Sequence, residues 1–440
     1  MTRLAFASLR HRATASLATF LTVLLGTALM GSFATLAQAA TGPVSATDRD
    51  TLFIMGAVVG GWGSLIVLFA VVSTVGITVT QRETEIGLLR TIGATPRQAS
   101  RLVRAETLLV AVVASAAGAA LATLGGRALL AMLRDSDVVA GSVQYDAGAA
   151  PAATALLIVL VSLVGSGIAA RRATRGPATV SPSEGRSDRG RLAWWRIVAA
   201  VLLVGYGLAM GVVTITVTAD DPDPYAAMQT SGSCAILVSL GLACVAPWLL
   251  RHLSVLARPV LGAGVTGHLA AYNTRRRSHL LSGVLAPVMV LTAAATSVLM
   301  AVGTDNRTRP SGTDQDAQTI NLLNNVVVGM IVLFAAVDVV NTFAAVVAHR
   351  RAELHRLWLL GATPEQVEGS VLAEARIVAG VGVVLGLLAS LATIVPFGVA
   401  RHEGLVPDGQ LWLPAVVVVG VVALTLLAAR SAVRRTAVAR

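Results

Sequence analysis

The chain contains no lysine. All 34 of its basic lysine-or-arginine positions are arginine, over 440 residues. Two chemistries are excluded at once. There is no lysine for a phosphate-binding P-loop and none for a Schiff base, so the chain alone is not a conventional nucleotide hydrolase. Charge of either sign is scarce as well. Only 13% of residues are charged and 55% are hydrophobic, whereas a soluble globular protein carries roughly 25% charge. With a mean hydropathy of +0.75, this is an integral membrane protein with little room for soluble domains. There are two cysteines. Cys234 and Cys244 share one apolar run, about 15 Å apart along a helix, which is beyond the reach of a disulfide. They read as packing residues. Of the seven histidines, none has a cysteine or carboxylate partner at metal-ligand spacing. No metal site and no catalytic residues are expected.

What the chain has instead is long apolar runs. A membrane-spanning helix needs about 20 apolar residues. Ten runs qualify, at roughly 14–38, 53–79, 104–132, 150–170, 195–218, 231–250, 280–303, 320–347, 370–399 and 411–429. The connectors between them alternate in sign. Arg3, Arg10 and Arg12 precede the first run, and Asp48 and Asp50 follow it. Arg82, Arg90, Arg97 and Arg101 mark the next connector, and Asp135, Asp137 and Asp146 the one after. The arginine-rich 171–194 is followed by Asp220, Asp221 and Asp223. Connector 251–279 holds Arg275-Arg276-Arg277 and no acid, 304–319 mixes Asp305, Asp314 and Asp316 with Arg307 and Arg309, and the chain ends in Arg434, Arg435 and Arg440. Positive charge concentrates on the cytoplasmic side of a membrane, so both termini are expected there. The net charge of +11 then reflects topology, and no nucleic acid partner is implied. The segment before Ala40 also resembles a signal peptide with a small-residue cleavage site. However, Arg12 to Thr27 aligns with Arg277 to Thr292 deep in the chain, so a retained helix is expected. The reading is all-α, in a 4+2+4 arrangement. The halves are 1–175 and 265–440; between them, 176–264 holds a Pro/Gly/Ser-rich linker and two central helices.

The halves repeat a sentence. Residues 82–106 read RETEIGLLRTIGATPRQASRLVRAE and residues 350–374 read RRAELHRLWLLGATPEQVEGSVLAE. Arg82 matches Arg350, Glu85 matches Glu353, Leu89 matches Leu357, Gly93 matches Gly361, and Glu106 matches Glu374. In copy one, Ile86, Leu89 and Ile92 recur at helical spacing. Gly93 suits the position just after a helix end. Thr95, Pro96 and Gln98 then read as N-cap, first turn and capping-box partner of a new helix. Each connector is therefore expected to be a short helix at the membrane surface, a sharp break, and a helix entering the membrane.

The pattern Arg82-x-x-Glu85-Ile86-Gly87-x-Leu89-Arg90-x-x-Gly93-Ala94-Thr95, with Glu106 and the glycine-containing helix after it, resembles the FtsX-like permeases, the membrane subunits of MacB- and LolC-type ABC transporters. The ten-helix layout is similar to that of bacitracin-resistance-type permeases, in which one chain supplies both halves. The resemblance implies a multi-pass protein of the bacterial cell membrane, in contact with lipid. Each connector helix would dock an ATP-binding subunit, two copies per permease, and that partner would carry ATP and magnesium. Carried over by position, the coupling residues are Glu83, Glu85, Ile86, Leu89, Arg90 and Gly93 in copy one and Glu353, Leu357, Trp358 and Gly361 in copy two. Two departures matter. Leu354-His355 replaces Ile86-Gly87 and Trp358 replaces Arg90, so the two docking points are expected to be unequal. The large extracellular domain of those relatives is not expected here.

Other residues invite a role. Asp338 lies in an apolar helix with Asn341 one turn away. An acid at that depth usually faces a bundle interior, as a polar substrate contact or as a hydrogen bond to a neighbouring helix. Gly118 matches Gly386, and Gly382-x-x-x-Gly386 is a small-residue packing motif, expected to permit close helix approach between halves. The function expected is that of an ABC transporter permease moving, by export, an amphipathic, peptide or lipid-like substrate. The rival is an ATP-driven transmembrane lever acting on another protein. A secondary transporter would want intramembrane ionisable pairs, and Asp338 alone does not supply them.

Overall fold

The computed structural model describes residues 13–53, 55–56, 60–80, 83–135, 139–174, 193–221, 226–254, 265–308, 329, 332–334, 336–344, 346–347, 350–405 and 410–438. Among them all regular structure is helical. Eight helices are long and apolar enough to cross a membrane. The helix expected within 53–79 runs Gly60–Thr80, 21 residues, and of the run 320–347 the described part includes the apolar stretch Val332–Ala344, the remainder lying largely outside the described residues. The described residues form two compact units, one within 1–189 and one within 190–440.

The first unit contains α1 (Ala13–Ala39), α2 (Ala46–Phe53), α3 (Gly60–Thr80), α4 (Glu83–Thr91), α5 (Pro96–Asp135) and α6 (Ala150–Thr174). Lipid is as apolar as leucine, so helices in a membrane associate through small residues and hydrogen bonds. The α1–α5 seam shows this. A Cβ placed on Gly118 would lie 2.6 Å from the Leu24 carbonyl oxygen and 2.7 Å from the Thr27 Cβ. One on Gly31 would lie 2.6 Å from the Ala122 Cβ. Hydroxyls along the seam spend their protons within α1 itself, Thr27 on the Val23 carbonyl at 2.8 Å and Ser32 on the Ala28 carbonyl at 2.7 Å. Across to α3, the Thr19 and Thr78 hydroxyls bond at 2.8 Å.

The second unit contains α7 (Trp194–Thr216), α8 (Ala226–Ser231), α9 (Cys234–Cys244), α10 (Ala246–Leu253), α11 (Val265–Arg276), α12 (Ser278–Thr308), α13 (Arg351–Leu359), α14 (Pro364–Ala400) and α15 (Trp412–Val438). Its hub is α12, whose apolar span is 94% buried, against 22% for α7 and for α15. The last two are thus the lipid-facing helices of this unit. The span made by α8 and α9 is broken after Ser231. The Thr393 hydroxyl of α14 mends the break, accepting from the Ala235 N–H at 3.0 Å and donating to the Ser231 carbonyl at 2.7 Å. A side chain here supplies what an interrupted backbone cannot find in hydrocarbon.

The α12–α14 seam repeats the α1–α5 seam. A Cβ on Gly386 would lie 2.6 Å from the Thr292 Cβ and 2.8 Å from the Met289 carbonyl oxygen, and one on Gly382 would lie 2.6 Å from Val288 Cγ1. Gly118 with Leu24 and Thr27 is thus the counterpart of Gly386 with Met289 and Thr292. The close approach occurs within each half. The expectation that these glycines join the halves is corrected, because each faces the first helix of its own repeat.

Gly380 lies on α14 with nothing within 4 Å of its Cβ position, unlike Gly386. Gly386→Ala should lower the thermal midpoint of the purified chain through overpacking of about 1–3 kcal/mol. Gly380→Ala, in the same helix, should hold or raise it. A thermal melt of the two variants side by side decides; equal midpoints would remove the seam.

Candidate functional site

Each connector is built as the local chemistry dictates. In copy one the Gly93 N–H donates to the Arg90 carbonyl at 3.2 Å and the Ala94 N–H to the Leu89 carbonyl at 2.9 Å. In copy two Gly361 donates to Trp358 at 2.9 Å and Ala362 to Leu357 at 3.0 Å. This paired ending needs a left-handed residue just past the helix. Gly93 has φ 102° and Gly361 φ 93°. The next helix starts one residue later with a reciprocal cap. The Gln98 N–H reaches the Thr95 hydroxyl at 3.3 Å and the Thr95 N–H reaches Gln98 Oε1 at 2.9 Å. Thr363 and Gln366 repeat it at 3.2 and 2.9 Å, with Pro96 and Pro364 opening the helices. A stop motif and a start motif share four residues, so the corner is stiff.

Beyond the corner, α5 and α14 run 40 and 37 residues, roughly 60 and 55 Å at 1.5 Å per residue, α14 with Pro396 near its far end, where one backbone bond of the helix is missing. Each connector helix is therefore fixed to a rod longer than the bilayer is thick.

Internal contacts hold each connector helix against its own half. Ile86 is 2% exposed and packs with Val79, Ala99, Val103, Ala169 and Ala170. Leu354, its counterpart, packs with Val347, Val371, Ala432 and Val433, and Leu357 leans on the same cluster. Ile86 thus faces inward and is not available to a partner, because the apolar stripe that marks the helix in sequence is the one the fold consumes. Leu89 and Arg90 are half-buried. The side chains of Glu83 and Glu85 lie outside the described residues.

Copy two adds an ion network. Arg350 forks onto Glu374 of α14, through Nη1 to Oε2 and through Nη2 to Oε1 at 3.1 Å. Both side chains are buried. Glu353 takes Arg277, at the head of α12, and Arg350 Nε at 3.7 Å. Glu353 is thereby engaged within the chain, with its side chain still 38% exposed. It ties α13 to α12 and, through Arg350, to α14. The sequence of copy one carries the same residue types at the matching positions: Arg12, Arg82, Glu85 and Glu106. Of these, Arg12 and Arg82 lie outside the described residues, while Glu106 is buried.

What remains outward is apolar. Leu88 and Ile92 are 63% and 81% exposed in copy one; Leu359 and Leu360 are 65% and 84% exposed in copy two. Trp358 is exposed as well, its ring stacked on His355 at 5.8 Å. The spacing argument included Ile92 but missed Leu88, Leu359 and Leu360. An apolar residue directly before each glycine, Ile92 and Leu360, was the available signal. Asp338 is buried in Val332–Ala344, with Asn341 half-buried beyond it. Among the described residues no three of His, Cys, Asp and Glu gather as a metal site would require.

The corner can be tested on its own terms. Thr363→Ala removes a reciprocal cap and should cost about 0.5–2 kcal/mol. Gly361→Ala meets open space, so its cost is the left-handed backbone alone, about 1 kcal/mol. Thermal melts of the purified chain should show both losses; unchanged midpoints would mean that the corner is not held by these bonds.

The comparisons with known proteins agree with this geometry. No curated protein matches the chain at a significant level. A family model for the FtsX-like permease C-terminal domain matches residues 57–178 and again 325–438, more than half of the chain. The two matched segments begin as far apart as Arg82 is from Arg350, so the family pattern and the internal repeat are one signal. The chain belongs to the FtsX-like permease family, whose members are membrane components of ABC transporters.

Proposed function

We propose that this chain supplies both halves of a permease, in which each connector docks one ATP-binding subunit, two per chain, and that ATP hydrolysis on those subunits drives export of an amphipathic, peptide or lipid-like substrate. The observation that carries the reading is the apolar tip of each connector. Leu88 with Ile92, and Leu359 with Leu360, stand out from a helix that its own half grips from behind. Large apolar side chains held in water beside a stiff corner suit burial in a partner's groove, where a few such anchors dominate binding. ATP and magnesium belong to the partner.

The coupling follows from the mechanics. A displacement of α13 cannot be absorbed at the corner, because Gly361 to Gln366 is bonded in both directions. It passes to α14 directly and to α12 through Glu353 and Arg277. In copy one the corner hands motion to α5 in the same way. The two tips differ, with Arg90 beside one and Trp358 beside the other, so the copies are expected to bind with unequal strength. Both termini, and the connectors, are assigned to the cytoplasmic face on the arginine distribution.

The test is co-purification with the ATP-binding subunit. Leu359→Asp/Leu360→Asp should release one subunit from the complex and Leu88→Asp/Ile92→Asp the other, as read from the mass of the complex. The purified chain alone should hydrolyse no ATP. Full assembly in both double variants, or hydrolysis by the isolated chain, would overturn the reading. Reporter fusions at Asp221 and Asp314 should report the outer face, and fusions at Arg186 and Arg440 the inner; an outer report at Arg440 would reverse the assignment.

A further inference from the structure

At the end of α14 remote from its connector, the chain turns through Arg401-His402-Glu403. The His402 N–H donates to the Val399 carbonyl at 3.0 Å and the Glu403 N–H to the Gly398 carbonyl at 2.9 Å. This is the same ending as at Gly93 and Gly361, but a histidine occupies the left-handed position, at φ 59°. Among the described residues it is the one non-glycine residue with positive φ. That conformation costs roughly 1–2 kcal/mol, and such strain persists only where the surroundings over-determine it.

Here the surroundings are its two neighbours. Arg401 donates to Asp305 Oδ1 at 2.5 Å. Glu403 accepts from Arg307 Nε at 3.2 Å and from Nη2 at 2.8 Å. The Asp305 side chain is 1% exposed and that of Arg401 12%. Asp305 and Arg307 lie on the last turn of α12, so the strained turn is pinned to the hub helix from both sides. Thr304 is buried beneath, within 3.5 Å of Arg307 Nη2.

The repeat shows what this corner needs for packing alone. By the alignment of the halves, Leu133 stands where Arg401 does and Ala40 where Asp305 does, and both are buried. Replacing a buried ion pair with apolar residues is often neutral or stabilising, and the best-attested use of such a pair is as a registry or switching device. At these two positions the first half is apolar, although Asp135 stands where Glu403 does; the second half has two ion pairs around the strained turn.

We infer that Asp305, Arg307, Arg401 and Glu403 form a latch closing the far end of the α12–α14 seam, and that it opens when α14 is driven from its connector. The inference rests on the proposed coupling to an ATP-binding subunit, and the experiment separates the two. The permease–ATPase complex is prepared in lipid nanodiscs with Cys234→Ala and Cys244→Ala. Thr304→Cys reports the latch and Leu360→Cys reports the connector, each through its rate of maleimide labelling. Thr304→Cys should label slowly at rest and at least about tenfold faster during ATP turnover, the change a local opening equilibrium allows. Arg401→Asp should label fast without ATP, and the swap Arg401→Asp/Asp305→Arg should return it to slow. If the ATP-binding subunit shields Leu360→Cys while ATP leaves Thr304→Cys unchanged, docking stands and the latch is overturned. If Leu360→Cys is not shielded, the docking reading fails. The latch then falls with it only if the swap does not restore slow labelling.

Discussion

A backbone inside hydrocarbon has no water to bond, so every change of direction must bring its own hydrogen-bond partners. The architecture follows from how that demand is met. At the connectors, whose corner residues are exposed, water is at hand, yet the chain still reverses with two adjacent motifs, one closing a helix and one opening the next. No spare residue between them could flex. In the α8–α9 span it is met by a side chain from elsewhere, the Thr393 hydroxyl. Along the seams it is met locally, by threonines and serines that return their protons to their own helices. The seam glycines can then bring whole helices into contact without leaving a polar group unmatched.

That constraint explains which parts of the fold were legible. The corner was readable because its chemistry is local. Glycine before the break, threonine at the cap, proline behind it and glutamine at the third position specify one geometry within six residues, and the repeat showed it twice. The spans were readable by length, Gly60–Thr80 among them at 21 residues. What failed was direction. The stripe through Ile86 and Leu89 was taken as a surface for another protein, since periodicity says that a helix has an apolar face but not what covers it. The fold covers Ile86 with α3, α5 and α6 and leaves Ile92 of the same stripe exposed, beside Leu88. Glu353 has one partner close by, Arg350, three residues away, and one that the sequence did not offer, Arg277, which stands far off in the chain and is brought to it by the fold.

The repeated acid–base pattern gains a physical meaning from that correction. A connector that merely docked would tolerate a loose attachment to its own chain. One that transmits force must be tied more firmly than it is pushed. The fork of Arg350 onto Glu374 has this quality. Removing one member of a buried charged pair costs about 3–5 kcal/mol, more than the fraction of a kcal/mol to 1 kcal/mol typical of an exposed pair such as Arg430 with Glu368. The tie is placed where α13 meets α14, and the exposed tip is left apolar. On the proposed docking, rigidity behind and adhesion in front fall to different residues on the same short helix.

The two halves carry the same corner and the same glycine seam but differ at the remote ends of their long helices. In the first, Ala40 and Leu133 are buried without charge; in the second, Asp305 and Arg401 are buried with it. An apolar contact weakens gradually as its surfaces part. An ion pair at 2.5 Å in a poorly hydrated corner is held strongly until water enters and then holds little. The first half is therefore suited to following its partner continuously, whereas the second resists and then yields. On the proposed docking, inputs at the two connectors would in this way produce unequal outputs, giving a single chain a direction that two identical halves would lack.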